Sequence, residues 1–254
     1  MRYLEKVRIP EQYYSKTKEA LYTVGVLALG ICLGAFSKFL DFRQAELPGV
    51  LMLIDRALDV HNFLGAFAPW IVLAVFISIK SSSPIRAGIN VFVLFVGMVT
   101  SYYLYSNFVA GFFPKSYAMI WSLFTLLSPV LAFFCWYAKG KGWIAFIISA
   151  GILGFIINAT LSYGMWYVDI RSYLHLLTLI LGIIILHKST KETICMFVMA
   201  IPIAKVLFFY HKRRSKMSYK LVIAEKPSVA QSIAKVIGAD KREDGYLEGK
   251  CAIF

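Results

Sequence analysis

Acidic residues are scarce in this chain of 254 residues, and so are the motifs of soluble enzymes. Asp and Glu number 14 against 27 Lys and Arg, and charged residues make up only 16% of the sequence. Residues 1–210 contain no nucleophile elbow, no phosphate-binding glycine loop and no paired carboxylates within an apolar run. We therefore expect neither a membrane hydrolase nor a proton-driven pump, since such a pump needs a buried carboxylate.

Cysteine is equally sparse, with four residues in the chain. Cys32, Cys135 and Cys195 lie inside apolar runs, and Cys251 lies in the polar final segment. No two of them have the spacing of metal ligands. The sequence therefore predicts neither a zinc site nor a disulfide framework.

Apolar residues are abundant instead. They make up 59% of the chain, against about 45–50% in soluble domains. About 20 helical residues cross a hydrocarbon core of roughly 30 Å. Apolar runs close to that length lie at 21–40, 63–79, 87–109, 117–137, 143–163, 172–186 and 193–210. The sequence predicts an all-α polytopic membrane domain of about six to seven transmembrane helices over residues 21–210, after a polar lead-in over 1–20.

The distribution of Lys and Arg predicts the orientation of this domain. The lead-in and the loops 80–86, 139–141 and 188–191 are all basic. If the runs cross alternately, these segments share one side of the membrane, and cytoplasmic loops are the ones enriched in Lys and Arg. We therefore predict a multi-pass protein with a cytoplasmic N-terminus.

The last apolar run, 193–210, conflicts with this orientation. It contains Pro202 and Lys205, and a lysine at mid-span costs roughly 2.5–3.5 kcal/mol. A full crossing would also place the basic stretch 211–217 outside. About six crossings are favoured, with 211–217 as a basic linker, and whether 193–210 crosses fully stays open.

Three polar residues inside apolar runs are candidates for ligand binding: Asn90, Asn158 and His175. Polar groups are costly in lipid, so they often mark a substrate path. The alternative is a structural role, since Asn and His also form hydrogen bonds between helices. Gly30 and Gly34 form a small-residue pair that lets a second helix approach closely, either in this chain or in a partner subunit.

The longest polar connection, 41–62, carries charges of both signs around an apolar piece at 47–54. That piece is too short to cross the membrane, so we predict that it re-enters the membrane or lies on its surface. The connection is then either a solvated loop or a lid over a ligand site.

In size and layout, residues 1–216 resemble small bacterial multi-pass membrane proteins. They are more loosely similar to the substrate-binding subunits of energy-coupling-factor transporters, which have about six helices, a small-residue docking face on the first helix and a ligand pocket under the following loop. Gly30, Gly34 and the 41–62 connection carry this second resemblance. It implies a vitamin-like ligand and a partner membrane subunit.

From residue 218 onward the chain has a different character. Residues 221–224 form a short apolar run typical of a buried strand, and 229–237 have helical spacing of apolar residues. Glu225 follows the predicted strand at its carboxyl end, where open α/β sheets bind ligands. A carboxylate in that position could hold Mg²⁺.

The segment 219–238, centred on Ala-Glu-Lys-Pro-Ser-Val-Ala, and the Gly-Tyr-Leu-Glu-Gly run at 245–249 closely resemble the start of bacterial DNA topoisomerase III, a type IA enzyme. In that family this segment opens the Toprim domain. The resemblance implies that Glu225 corresponds to a residue of metal-assisted DNA cleavage, and that Lys226 corresponds to one that assists at the cleaved phosphate.

After residue 249 the sequence departs from the family pattern. The paired aspartates of the metal site, the tyrosine nucleophile and the DNA-binding arch have no counterpart here. We expect 218–254 to be a truncated, inactive Toprim-like fragment, with no nucleic-acid partner and no cofactor, because Mg²⁺ would be needed only by a complete enzyme.

Three functions stay open. The first is a non-enzymatic protein of the bacterial cell membrane, surrounded by lipid, with a transport or binding role and an inactive topoisomerase-like fragment. The second is the substrate-binding subunit of an energy-coupling-factor-type transporter. The third is a membrane-fused type IA topoisomerase whose chain is cut short.

Overall fold

The computed structural model describes residues 7–9, 15–43, 49–163, 167–214, 220–221, 241–243, 246–249 and 252–253. The chain divides into two compact units, Met1–Lys205 and Val206–Phe254. The helices within the described residues are α1 Lys16–Phe42, α2 Gly49–Leu58, α3 Val60–Gly65, α4 Phe67–Lys80, α5 Pro84–Phe108, α6 Lys115–Trp136, α7 Gly142–Thr160, α8 Tyr173–Leu186 and α9 Thr190–Arg214.

Four of these helices are long and apolar enough to cross a membrane: α1, α5, α7, and α6 together with the short 3-10 turn Tyr137–Lys139 that follows it. Much of their apolar surface points outward, most clearly on α6, where Met119, Leu123 and Leu126 are exposed. Large exposed apolar surfaces are unusual in soluble monomers. The outward apolar surface is therefore compatible with a membrane location.

Helices α4 and α8 are apolar but have only 14 residues each. At about 1.5 Å per residue each is about 21 Å long, which is less than the hydrocarbon thickness of roughly 30 Å. The structure thus identifies four helices among the described residues that are both long enough and apolar enough to cross a membrane. Six to seven crossings stay a prediction.

Helix α5 lies at the centre of the first unit and packs against α1, α4 and α6. Its contact with α1 is the closest, because glycines stand where the two backbones meet. A Cβ atom on Gly30 would lie 2.3 Å from the carbonyl oxygen of Leu94, and one on Gly34 would lie 2.2 Å from that of Met98. Gly30 and Gly34 of α1 therefore pack against α5 of the same chain.

A second layer forms around α4, which packs against α5, α6, α7 and α8. Helices α7 and α8 pack together, and Gly154 of α7 faces Ala200 and Ile203 of α9. Buried residues of α1, α4 and α5 form one shared core that includes Val26, Trp70 and Leu94.

The structure defines three of the predicted segments more closely. The fifth apolar run ends as helix at Thr160, and the next residues form strand β1 Leu161–Tyr163, which pairs antiparallel with β2 Val168–Ile170. The piece at 47–54 belongs to helix α2 from Gly49 onward. The predicted basic linker is helical over residues 211–214, because α9 runs on to Arg214.

The second unit contains a small sheet formed by β3 Lys220–Leu221, β4 Lys241–Glu243, β5 Tyr246–Gly249 and β6 Ala252–Ile253. The strand order is β3-β6-β5-β4, with β3 parallel to β6 and the other pairs antiparallel. Strand β3 overlaps the start of the predicted strand. The predicted helix at 229–237, and with it Glu225 and Lys226, lies outside the described residues.

Candidate functional site

The basic segments of the first unit meet at one end of the helical bundle, which we call the basic end (residues 7–9, 79–86, 136–142 and 187–192). The backbone amide of Lys141 donates to the carbonyl of Val7 at 2.7 Å. Lys188 Nζ donates to the carbonyl of Gly140 at 2.8 Å, and Lys139 Nζ donates to that of His187. These contacts bring the N-terminal segment and the basic loops together at one end of the bundle.

Arg8 joins the N-terminal segment to two helix ends at the basic end. Its guanidinium donates to the carbonyls of Trp136 at 2.6 Å and Ile79 at 2.9 Å, and it lies 4.3 Å above the Trp136 ring. Carbonyls in the last turn of a helix lack intrahelical donors and carry partial negative charge. Arg8 thus satisfies the ends of α4 and α6 at once.

Burial shifts the pKa of one lysine in this network. Burial lowers the pKa of Lys188; the Glu192 carboxylate opposes that shift, and the charge of Lys139 adds to it. The hydrogen bond to Gly140 holds the Lys188 ammonium against the 139–141 loop. The network is structural, because its donors are used on backbone carbonyls.

Asn90 lies near the basic end and is buried, with 3% of its surface exposed. Its Oδ1 accepts from the Thr23 hydroxyl of α1 at 2.7 Å, and its Nδ2 donates to Ser81 Oγ at 3.0 Å. Asn90 therefore connects α1, α5 and the end of α4. Both hydrogen bonds join elements of this chain, as expected if Asn90 has a structural role.

Asn158 and His175 lie toward the opposite end of the bundle, which we call the cap end (residues 55–63 and 172–175, with the adjoining end of α7). Asn158 is half-buried in the last turn of α7 and has a contact partner within the protein. The structure thus separates the three predicted ligand residues, because Asn90 lies at the basic end.

His175 is the buried polar residue of the cap end. Its Nδ1 lies 2.8 Å from Ser172 Oγ, which also caps α8 by accepting from the His175 amide. Phe63 of α3 packs edge-on against the imidazole at 5.2 Å between ring centroids. The other nitrogen, Nε2, is buried and has no hydrogen-bond partner among the described residues. Buried polar atoms of this kind are uncommon and need an explanation.

A carboxylate network fixes the segment that carries Phe63. Asp55 is buried and accepts from the His61 amide at 2.9 Å, and its Oδ2 lies 2.8 Å from His61 Nδ1. Asp59 has a left-handed backbone, with φ 55°, at the start of α3 and accepts from Asn62. Asp is one of the residues that tolerate this conformation. The turn between α2 and α3 is therefore built to hold Phe63 over His175.

Little in the sequence signals the Asp55–His61 pair. Both residues lie in the charged 41–62 connection, where a solvated loop is the simpler interpretation. The visible cue is an Asp and a His flanking the junction of two short apolar pieces. No group of three or more His, Cys, Asp or Glu within the described residues could hold a metal ion.

Comparison with known proteins gives one short similarity. The chain is 64% identical over 33 residues to a DNA topoisomerase 3 of Bacillus cereus, and this stretch is 13% of this chain and 4% of that protein. Over the same length it is 61% identical to DNA topoisomerase 3 of Bacillus thuringiensis and of Bacillus anthracis. No family model matches the chain, and no solved structure matches it significantly.

The similarity supports a Toprim-like fragment in the chain. The matched stretch spans only 4% of the length of the topoisomerases that it resembles. The roles of Glu225 and Lys226 in DNA cleavage therefore stay implied by resemblance.

Proposed function

We propose that this chain is a non-enzymatic, multi-pass protein of the bacterial cell membrane that binds a small polar ligand at its cap end. Its N-terminus is then cytoplasmic, and its Toprim-like segment is inactive by itself. One observation carries the binding role: the buried Nε2 atom of His175 has no partner among the described residues. A ligand that offers one hydrogen-bonding group would satisfy it.

The surroundings of His175 favour a ligand that combines an apolar face with a polar edge. Phe63 supplies an aromatic edge beside the imidazole. Asp59 and His61 add polar groups on the turn that precedes Phe63, with His61 Nε2 lying 3.6 Å from Asp59 Oδ1. Binding sites typically pair an apolar lining with a few placed polar groups. Helices α2 and α3 then act as the lid over this site.

The test is a ligand screen with two matched histidine variants. Wild-type protein in detergent is screened by thermal shift against water-soluble vitamins and similar small heterocycles. The hit is then titrated against His175→Ala and against His187→Ala, which changes an exposed histidine at the basic end. We expect at least tenfold weaker binding for His175→Ala and unchanged binding for His187→Ala. Absence of any hit, or equal affinity in the two variants, contradicts the proposal.

A transporter subunit is the second candidate, and the position of α2 and α3 favours it. The segment that follows the first long helix carries Phe63 over His175, as in the layout of energy-coupling-factor substrate-binding subunits. Because α5 occupies the Gly30/Gly34 face, a partner would have to dock elsewhere. Co-purification of an ATP-hydrolysing complex from the native membrane supports this candidate, and purification of the chain alone under the same mild conditions argues against it.

A further inference from the structure

A cavity of about 190 Å³ opens at the basic end, beside the first turn of α5. It is far along the bundle from His175 and does not depend on the ligand proposed there. Its lining combines three cations, one carboxylate and several hydroxyl or amide groups: Lys18, Glu19, Tyr22, Lys80, Ser81, Ser82, Arg86 and Asn90.

The carboxylate in this cavity is already engaged. Glu19 pairs with Arg86 at 2.9 Å and accepts from the Ser82 hydroxyl at 2.5 Å. The positive charge of Arg86 is therefore balanced by the Glu19 carboxylate. The two lysines, Lys18 and Lys80, are both exposed, and no hydrogen bond or ion pair of their ammonium groups is found among the described residues. Two uncompensated positive charges therefore face one cavity.

The floor of the cavity is rigid. Asn90 and Ser81 are buried and bonded to each other, and Ser81 Oγ also donates to the carbonyl of Ile77 at 2.8 Å. Thr23 completes the chain of hydrogen bonds from α1. The cavity is thus held by three fixed elements, α1, α4 and α5. A fixed floor lowers the ordering cost of binding.

The position of the cavity indicates which kind of anion its positive charges would bind. Large apolar residues of the same helices are exposed next to it, namely Leu21, Ile85 and Ile89. The cavity therefore lies where the outward apolar surface meets the basic end. In a membrane this is the headgroup level, and the cytoplasmic leaflet is rich in anionic lipid that attracts Lys and Arg.

We infer that this cavity binds the phosphate group of an anionic phospholipid through Lys18 and Lys80. Arg86 and Ser82, held by Glu19, form the inner wall against which the phosphate rests. A soluble phosphate ester offers the same chemistry, so the test compares a lipid and a free anion as sources.

The experiment measures binding to the purified full chain in a neutral detergent. The probes are short-chain phosphatidylglycerol, short-chain phosphatidylcholine and inorganic phosphate. The pocket variant is Lys18→Gln with Lys80→Gln, and the control is Lys141→Gln with Lys191→Gln. The control removes the same charge from exposed lysines at the same end, outside the cavity.

Each lysine near a membrane surface contributes about fivefold to anionic-lipid affinity. We expect phosphatidylglycerol to bind the pocket variant roughly 30-fold more weakly than wild type, and the control variant within about threefold of wild type. Phosphatidylcholine should bind more weakly than phosphatidylglycerol. If inorganic phosphate displaces the lipid at similar concentration, the site takes a soluble phosphate and the lipid assignment is overturned. Equal losses in the two double variants would show general charge attraction and overturn the site itself.

Discussion

At Gly34 the neighbouring helix leaves room for a hydrogen atom only. A Cβ added there would lie 2.2 Å from the carbonyl oxygen of Met98 and 2.3 Å from Ser101 Oγ. The first contact is with backbone, which cannot rotate away as a side chain can. Gly25 on the same helix has open space around the corresponding position, so the two glycines form a natural pair for comparison.

We predict that Gly34→Ala destabilises the bundle by about 1–3 kcal/mol, the usual cost of overpacking a tight contact. Helix α1 must move away from α5 to admit the methyl group. Gly25→Ala should leave stability unchanged or raise it slightly, since Ala favours helix over Gly. Thermal and denaturant unfolding of the purified variants measures both. Equal stability of Gly34→Ala and wild type would contradict the packing described for α1 and α5.

The elements show how far a sequence predicts this fold. Long apolar runs identify α1, α5, α6 and α7 to within a few residues, because a stretch of that length and composition has few alternatives to a helix in lipid. The predicted loop at 41–62 largely forms α2 and α3. Its charged residues look like a solvated loop in sequence, and only the folded chain shows that Asp55 is buried.

The candidate site is predictable only in part. His175 stands out in the sequence as a polar residue inside an apolar run, but its partner Phe63 comes from a segment more than a hundred residues earlier. No local pattern reports such a contact. The cavity at the basic end escapes sequence reasoning for the same reason, since Lys18, Lys80 and Arg86 come from three separate elements.

At the α2–α3 turn we predict that Asp55→Ala loosens the lid. The variant removes the acceptor for the His61 amide and ring, and an unsatisfied buried donor costs about 1–3 kcal/mol. Faster hydrogen exchange should therefore appear over residues 49–65 and stay absent from α5. Arg56→Ala, which changes an exposed residue on the same helix, is the control. Identical exchange in the two variants would count against the proposed lid.

Across the whole molecule, the two units differ in secondary structure. The first unit contains the four helices that are long and apolar enough to cross a membrane, together with the basic end and the cap end. The second unit contains the small sheet β3–β6. The similarity to topoisomerase 3 covers 13% of the chain. A similarity this short does not extend the function of the whole enzyme to this chain, because function depends on a complete site.

We predict that the purified chain does not relax negatively supercoiled DNA in the presence of Mg²⁺. The matched stretch is 4% of the length of a topoisomerase 3 and lacks counterparts of the paired aspartates and the nucleophile. Mg²⁺-dependent relaxation that Glu225→Gln abolishes would show instead that the segment is catalytically active.

We propose that the bundle is embedded in the membrane with its basic end in the cytoplasm. Single cysteines, introduced into a variant without the four native ones, test it directly with a membrane-impermeant maleimide on intact bacterial cells. Lys115→Cys at the start of α6 and Asp169→Cys in β2 should react in intact cells. Lys141→Cys and Lys191→Cys should react only after permeabilisation. Reaction of Lys141→Cys in intact cells, with Lys115→Cys protected, would contradict this orientation, on which the phospholipid proposal rests.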